Sequence, residues 1–379
     1  MPSRTPFFAA PLLLSALVAV PLAACSGSEG GAAEDDKIIG DNNLVAVAED
    51  GSNIPAKYKG LLDAFGLGSM TCTMTHLGDG LVLTAGHCVD APPVKNEIVP
   101  CGDVTIRWGF RGSRSEQSLP ESHCERILVA KDDTKTGVDF ALLLVDNPPT
   151  AKIPVTLATT AKIGAKITIF GHPKGRPLEW SKTCTIQPGT SFFGGDGGLD
   201  ADAANGPSTE FFAHQCDTEP GNSGSTVLDD KTLAVVGIHD GGYPNWNYGT
   251  YVTRTAIADW IGKVDGPKTA FMYPSEGDVL EGEVSVTMRR WMRNGTVGKI
   301  VVAFPDGTKQ TIAANEDGLL WDSRKTSDGP ATITATPYDA KSGAAGTPVK
   351  LPVTVRNTPV AADAGAGDAG ASPVDAGRD

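Results

Sequence analysis

The amino-acid sequence predicts an all-β protein of two domains, and three observations carry that expectation. Forty-five glycines and 27 prolines in 379 residues interrupt the chain too often for long helices. Short apolar runs bounded by turn residues recur from Leu44 to Val355. A Gly266-Pro267 break divides those runs into two groups, and a chain of this length can bury more than one sizeable core.

Taken in order, the first 25 residues read as an export signal. Arg4 gives a charged start, residues 7–20 are apolar, and Leu22-Ala23-Ala24-Cys25 follows. An ordinary secretory site wants small residues three and one before the cut, and a cut before Cys25 would put Leu22 three back. The four residues are similar instead to the bacterial lipobox, whose cysteine becomes a lipidated N-terminus. That resemblance implies an exported protein anchored to the cell-envelope membrane through Cys25, each buried methylene of the lipid contributing ~0.8 kcal/mol. No other stretch is long and apolar enough to span a membrane as a helix. Residues 26–37 read as a flexible tether or propeptide, rich in Gly, Ala, Ser and Glu.

Residues 38–266 alternate short apolar strands with turns. The clearest strands are 142–145, 167–170 and 233–238, with Asp229-Asp230-Lys231-Thr232 as a hairpin turn. Ile257, Trp260, Ile261 and Val264 recur at helical spacing, and Gly266-Pro267 should stop that helix. The insertion at 194–206 carries Asp196, Asp200, Asp202 and Asn205 among glycines; its spacing fits no calcium template, which favours a solvated loop. Residues 268–357 hold strand-like runs at 284–288, 299–304, 331–338 and 349–355, separated by Asp306-Gly307 and Asp328-Gly329. This spacing predicts a β-sandwich in which Trp321 belongs to the core. Residues 358–379 are Ala/Gly/Asp-rich and should be disordered.

Chemistry concentrates in the first domain. In EPGNSGSTV at 219–227, glycines flank Ser223, so the N–H groups of Gly221 and Ser223 can converge on one point beside the hydroxyl. Such a pair stabilises an oxyanion, and a serine nucleophile also needs a base within reach. LVLTAGHCV at 81–89 offers His87 after a strand, and GVDFALLLV at 137–145 offers Asp139 at the start of another. His87, Asp139, Ser223 is a known chain order for a Ser-His-Asp triad. A core histidine, a strand cap and a Gly/Ser turn are the plain alternatives for each taken singly; together, in this order, they point to a nucleophilic site.

TAGHC, VDFALL and GNSGS resemble the trypsin/chymotrypsin-like serine peptidases, over roughly residues 68–264. Gly-Asn-Ser-Gly-Ser, the preceding Asp217-Thr218, and GIHDGGYPN at 237–245 are most similar to the bacterial glutamyl-endopeptidase-like branch. The resemblance implies a chymotrypsin-like double β-barrel with the triad in the cleft between barrels. It also implies that Thr218 and His239 receive a glutamate side chain before the scissile bond; a hydroxyl and an imidazole can supply hydrogen bonds to a desolvated carboxylate. Asp240 beside them could instead repel an acid or accept a base. The C-terminal unit is similar to bacterial Ig-like modules appended to secreted enzymes.

Seven cysteines minus Cys25 leave six, which export would oxidise. The resemblance implies Cys72–Cys88 as a brace on the histidine loop. Cys184–Cys216 would tie the approach to the nucleophile loop, leaving Cys101 and Cys124, whose pairing stays open. A zinc site is the rival use, but no Cys-x-x-Cys pair exists. Lys37-Ile38-Ile39-Gly40 resembles the activation junction of trypsin-like zymogens, and cleavage after Lys37 would both trim the domain and release it from lipid. The sequence departs from that family at Asn222, where an aspartate would normally pair with the freed amine.

A formal net charge of −13, with no basic run, argues against nucleic acid as a partner. The leading expectation is a monomeric, cofactor-free, metal-free serine endopeptidase acting on polypeptides. The alternatives are a surface-binding protein with a peptidase-like domain, and an esterase, which would lack the Gly-x-Ser-x-Gly elbow of α/β hydrolases.

Overall fold

The computed structural model describes residues 37–89, 98–133, 138–156, 162–187, 211–243 and 246–357. The expected signal, Cys25, the tether up to Asp36, the insertion at 194–206 and the tail from 358 lie outside these residues.

Two closed six-stranded antiparallel barrels form the N-terminal domain. The first ring runs Glu121–Asp133, Thr105–Trp108, Phe65–Gly68, Thr73–Gly78, Leu81–Thr84, Val138–Val145, and closes because the last strand also pairs with the first. The second runs Glu179–Gln187, Phe211–His214, Trp246–Tyr251, Val235–Tyr243, Thr226–Asp229, Lys166–Gly171, closed in the same way. This is the chymotrypsin-like double barrel.

The continuous apolar run at 142–145 has a direct explanation. Leu142 and Leu144 face a core shared by both barrels, where they meet Phe65, Leu128 and Ile238. Leu143 and Val145 face the first barrel's interior, with Met74, Ile106 and Trp108. Both faces are buried, so no polar alternation is possible. Each of these fully buried leucines contributes ~2 kcal/mol in apolar burial.

The turn before Leu233 behaves as its sequence predicts: Asp229 Oδ1 accepts from the backbone N–H of Lys231 and Thr232, at 3.1 and 2.7 Å. The strand after it begins at Val235 rather than Leu233, which sits in the turn with φ of 60°. The helix expected through Val264 is only one turn, Ile257–Trp260. Ile261 is already non-helical, with ψ of 124°, and Gly262 turns the chain at φ of +66°. Val264 is nevertheless buried, so the apolar spacing that predicted a helix records burial of a turn.

Residues 268–357 form a β-sandwich. One sheet orders Lys268–Tyr273, Glu283–Trp291, Gly318–Asp322; the other orders Val279–Leu280, Val349–Val355, Gly329–Asp339, Val297–Ala303, Lys309–Ala313. Val284, Val286 and Met288 alternate into a core of this domain's own residues. Trp321 lies in that core, stacked 4.9 Å from Phe304, its indole N–H donating to Asp306 Oδ2 at 3.3 Å. The sandwich also grips the first barrel: Arg293 Nη1 donates to Asp79 O at 2.8 Å, Arg289 Nη1 to Ile98 O at 3.2 Å, and Trp291 packs on the shared barrel core.

All six expected cysteines pair. The bonds are Cys72–Cys88, Cys101–Cys124 and Cys184–Cys216, with Cα–Cα distances of 6.0, 5.7 and 5.0 Å.

Candidate active site

The strand Leu81–Thr84 delivers the chain into Ala85-Gly86-His87, whose tight turn depends on Gly86. A Cβ there would lie 2.1 Å from Lys131 O and 2.9 Å from Asp139 Oδ1. Asp139, second residue of Val138–Val145, is thereby held against the histidine loop. Its Oδ1 accepts the N–H of Gly86 at 2.5 Å and of His87 at 3.1 Å, and its Oδ2 meets His87 Nδ1 at 2.5 Å. The carboxylate therefore fixes both the loop and the ring, and places the imidazole proton on Nδ1, leaving Nε2 as a base. The His87 side chain remains 38% exposed, open to a reactant, while Asp139 is 14% exposed. Cys72 and Cys88 sulfurs lie within 4.8 Å of this ring, but they are bonded to each other and offer no thiolate to a metal.

The loop carrying Ser223 packs directly on that turn. Gly224 adopts φ of +82°, and a Cβ on it would come within 2.1 Å of Thr84 Oγ1 and 3.0 Å of Ala85 N, so only glycine lets the two loops touch. Asn222 N–H donates to Glu219 O at 2.9 Å, and Ser225 N–H to Asn222 O at 2.9 Å, which coils the loop on itself. Thr73 Oγ1 donates to Gly221 O at 2.9 Å and so orients that peptide. Among the described residues, neither Gly221 N–H nor Ser223 N–H donates to any protein acceptor. These are the two donors the sequence singled out. Ser223 Oγ lies 3.4 Å from Asp240 O.

The wall behind the loop holds an imidazole neutral. His172 is fully buried, its Nδ1 contacts Arg176 O at 3.0 Å, and its Nε2 has no partner. Burial pushes its pKa down to about 4, the Arg176 carbonyl offsetting only part of this. Glu219 lies at the loop's entry between Lys174, at 2.7 Å, and Arg176. Burial opposes its ionisation, but the hydrogen bonds from those two cations outweigh it and hold the carboxyl below its ordinary value.

His239 and Thr218 flank the nucleophile loop from the second barrel, and both are fully buried. His239 N–H donates to Ser225 O and Gly224 N–H to His239 O, each at 2.8 Å, so the pocket strand is tied to the loop on both sides. His239 Nδ1 lies 3.1 Å from Nε2 of His214. His214 Nδ1 accepts the Cys216 N–H at 3.2 Å, which assigns the His214 proton to Nε2, where the Tyr248 carbonyl and His239 Nδ1 are both acceptors for it. Burial, reinforced by His239, keeps the His214 pKa well below the ordinary value. Thr218 Oγ1 has no hydrogen-bond partner.

Asp217 and one oxygen of Asp240 are engaged elsewhere. Asp240 Oδ2 accepts from Thr250 Oγ1 at 2.7 Å, and that oxygen in turn accepts the Asp139 N–H at 2.9 Å. Asp217 spends both oxygens on the N-terminal segment, accepting Ile39 N–H and Asn43 N–H at 2.7 Å each. Lys37 is clamped as well: its N–H donates to Asn247 Oδ1 at 3.0 Å, and its carbonyl accepts from Asn247 Nδ2 and Thr218 N–H at 2.8 and 3.1 Å.

The structure sets His87 against Asp139 and packs the loop of Gly221 and Ser223 on the histidine turn; His214, Thr250 and Asn247, which meet the same region, carry no signal in the sequence motifs. His214 and His239 meet because their strands pair with opposite edges of Trp246–Tyr251, a relation no local motif records.

Residues 72–238 match the protein-family model described as a trypsin-like peptidase domain. No curated protein matches the chain. Among solved structures, the VesB protease of Vibrio cholerae aligns with a TM-score of 0.48 at 13% identity, covering 83% of this chain and 99% of that one. The secreted serine protease VesC of Vibrio cholerae aligns with a TM-score of 0.42 at 16% identity, covering 86% of this chain and 71% of that one.

Proposed function

We propose that this chain is an exported serine endopeptidase that hydrolyses polypeptides through Ser223, His87 and Asp139, preferring glutamate, then aspartate, before the scissile bond. The observation that carries the reaction type is the buttressed His87–Asp139 pair facing a serine loop with two acceptor-free N–H groups. His87 Nε2 takes the Ser223 proton as the hydroxyl attacks the scissile carbonyl. Gly221 and Ser223 N–H groups receive the resulting oxyanion, and His87 then protonates the leaving amine. Water repeats the sequence on the acyl-enzyme.

The acidic preference rests on the pocket's polar inventory. Thr218 offers a hydroxyl with no partner, and the His239 imidazole, 3.1 Å from His214, lies on the strand tied to the same loop. Asp217, the residue before Thr218, already accepts two backbone N–H groups. Export and a lipid on Cys25 belong to the same proposal, supported by the signal-like N-terminus and by the pairing of every other cysteine.

A serine-reactive fluorophosphonate should label the protein and fail to label Ser223→Ala. A peptide set varied only before the scissile bond then reads specificity. Labelling that survives Ser223→Ala refutes the mechanism; preference for basic or apolar residues, unchanged in His239→Ala, refutes the pocket assignment alone.

A further inference from the structure

A cavity of about 370 Å³ opens where the peptidase domain meets the sandwich. Its peptidase side presents Trp260, Ile98 and Leu128, and its sandwich side presents Lys268, Val349 and Lys350. Lys268 is the first residue of Lys268–Tyr273, and only 4% of it is exposed. Its Nζ sits 4.6 Å from the centroid of the Trp260 ring, and no described carboxylate lies within ion-pair distance of it. The charged groups around it are Asp259 and Lys350, both exposed on the cavity's margin, and the neighbouring Lys263.

A buried ammonium held by one aromatic face is poorly compensated, because a cation–π contact replaces only part of what water supplied. Desolvation, with Lys263 adding repulsion and Asp259 offsetting little, lowers the Lys268 pKa to about 8. The group is thus still mainly charged at neutral pH while lacking an anion. Around it the cavity offers an aliphatic wall and the Thr347 hydroxyl, while the Thr269 hydroxyl already donates to Arg289 O at 2.7 Å. A volume in this range suits a small ligand, and the lining mixes apolar side chains with polar ones that can fix its orientation.

We infer that this interdomain cavity is a binding site for a small organic carboxylate bearing an apolar group, with Lys268 as the anion's partner and Trp260, Ile98 and Val349 around its body. The charge requirement points to an anion and the aliphatic wall to an apolar body. Asp259 on the margin disfavours a second negative charge. Because the two walls come from different domains, an occupant would also tie them together and raise the melting temperature.

Reductive methylation of the full chain with ¹³C-formaldehyde gives each lysine an NMR resonance while keeping its charge, and Lys268→Arg identifies the one that belongs to Lys268. The probe is 4-methylpentanoate, with its neutral amide and inorganic phosphate as controls. The carboxylate should move the Lys268 titration midpoint upward by about one pH unit, since it stabilises the ammonium, and the amide and phosphate should not. Lys268→Met should weaken binding of the acid at least about tenfold. The inference is overturned if the acid leaves the midpoint where it was. It is equally overturned if amide or phosphate moves the midpoint as far, or if Lys268→Met binds the acid as well as the unaltered protein.

Discussion

The buried His172 should make the oxyanion loop sensitive to mild acid. The His172 backbone stands behind Gly221, whose Cβ position lies 2.6 Å from His172 O, and its backbone N–H donates to the same Thr73 hydroxyl that orients the Gly221 peptide, at 2.8 Å. Its folded pKa of about 4 is below the ordinary 6.5, so the unfolded chain binds the proton more readily. Stability from this group is complete above about pH 6.5, falls as the pH drops, and is fully lost below about pH 4. Near pH 5 the loss is ~2 kcal/mol, and its ceiling is ~3 kcal/mol. In His172→Phe the ring no longer titrates and the unpartnered Nε2 disappears, at the cost of the Arg176 hydrogen bond, ~1 kcal/mol. Urea unfolding, in a Ser223→Ala background to prevent self-digestion, should show the substituted protein losing ~2 kcal/mol less between neutral pH and about pH 5. Equal losses in the two proteins would refute the reasoning, because the acid sensitivity would then reside elsewhere.

Asp139→Asn should lower kcat by ~10⁴-fold with little change in fold, since the amide can still accept from Gly86 but no longer holds the imidazole tautomer; stopped-flow or initial-rate assays on a good peptide would read it. Replacing Cys72 and Cys88 together by serine opens a bridge of 16 residues' separation and should cost ~3 kcal/mol in denaturant unfolding. Truncation after Val264 should leave hydrolysis of a short peptide intact, because among the described residues none from the sandwich contacts His87, Asp139 or Ser223. It should nevertheless lower the melting temperature by roughly 5–10 °C, as the Arg293 and Arg289 hydrogen bonds and the Trp291 packing are lost.

Legibility followed the range of the interactions involved. The histidine and serine loops were readable because His87 and Ser223 each sit in a local frame, Gly86 beside one and Gly224 beside the other, that sterics impose on the sequence itself. The strand Val349–Val355 was readable because its alternation reports one buried face. Lys309–Ala313 and Gly318–Asp322 were not: they are short, flank their sheets, and bury only one side chain each, Ile312 and Trp321. The pocket's second histidine and the interdomain lysine were invisible for a further reason. Lys268 follows a Gly-Pro linker signal, and only the docking of two domains turns it from a surface residue into a buried charge.

The N-terminal junction brings the sequence and the fold into a sharper relation. Trypsin-like zymogens order the nucleophile loop by an ion pair between a freed amine and the residue that is Asn222 here. An amide cannot form that pair, and Asn222 Nδ2 instead donates to Glu219 O at 3.1 Å, inside the loop. The loop is ordered without an amine, by Thr73 on Gly221, by Gly224 on the histidine turn and by the His239 strand. Asp217 holds the segment after the junction through backbone N–H groups that exist whether or not the chain is cut. The Lys37 carbonyl is docked on Asn247 and Thr218, which holds the chain just before Ile38 against the second barrel without a cut. Cleavage after Lys37 should therefore be unnecessary for activity. Lys37→Gln keeps every backbone contact of the clamp while removing the basic side chain. With its uncut N-terminus verified by mass spectrometry, it should react with a fluorophosphonate within about twofold of a chain beginning at Ile38, since the loop carrying Gly221 and Ser223 is already held by contacts that need no free amine. Labelling confined to chains that begin at Ile38 would show that the freed amine orders the site after all, through a carboxylate other than position 222.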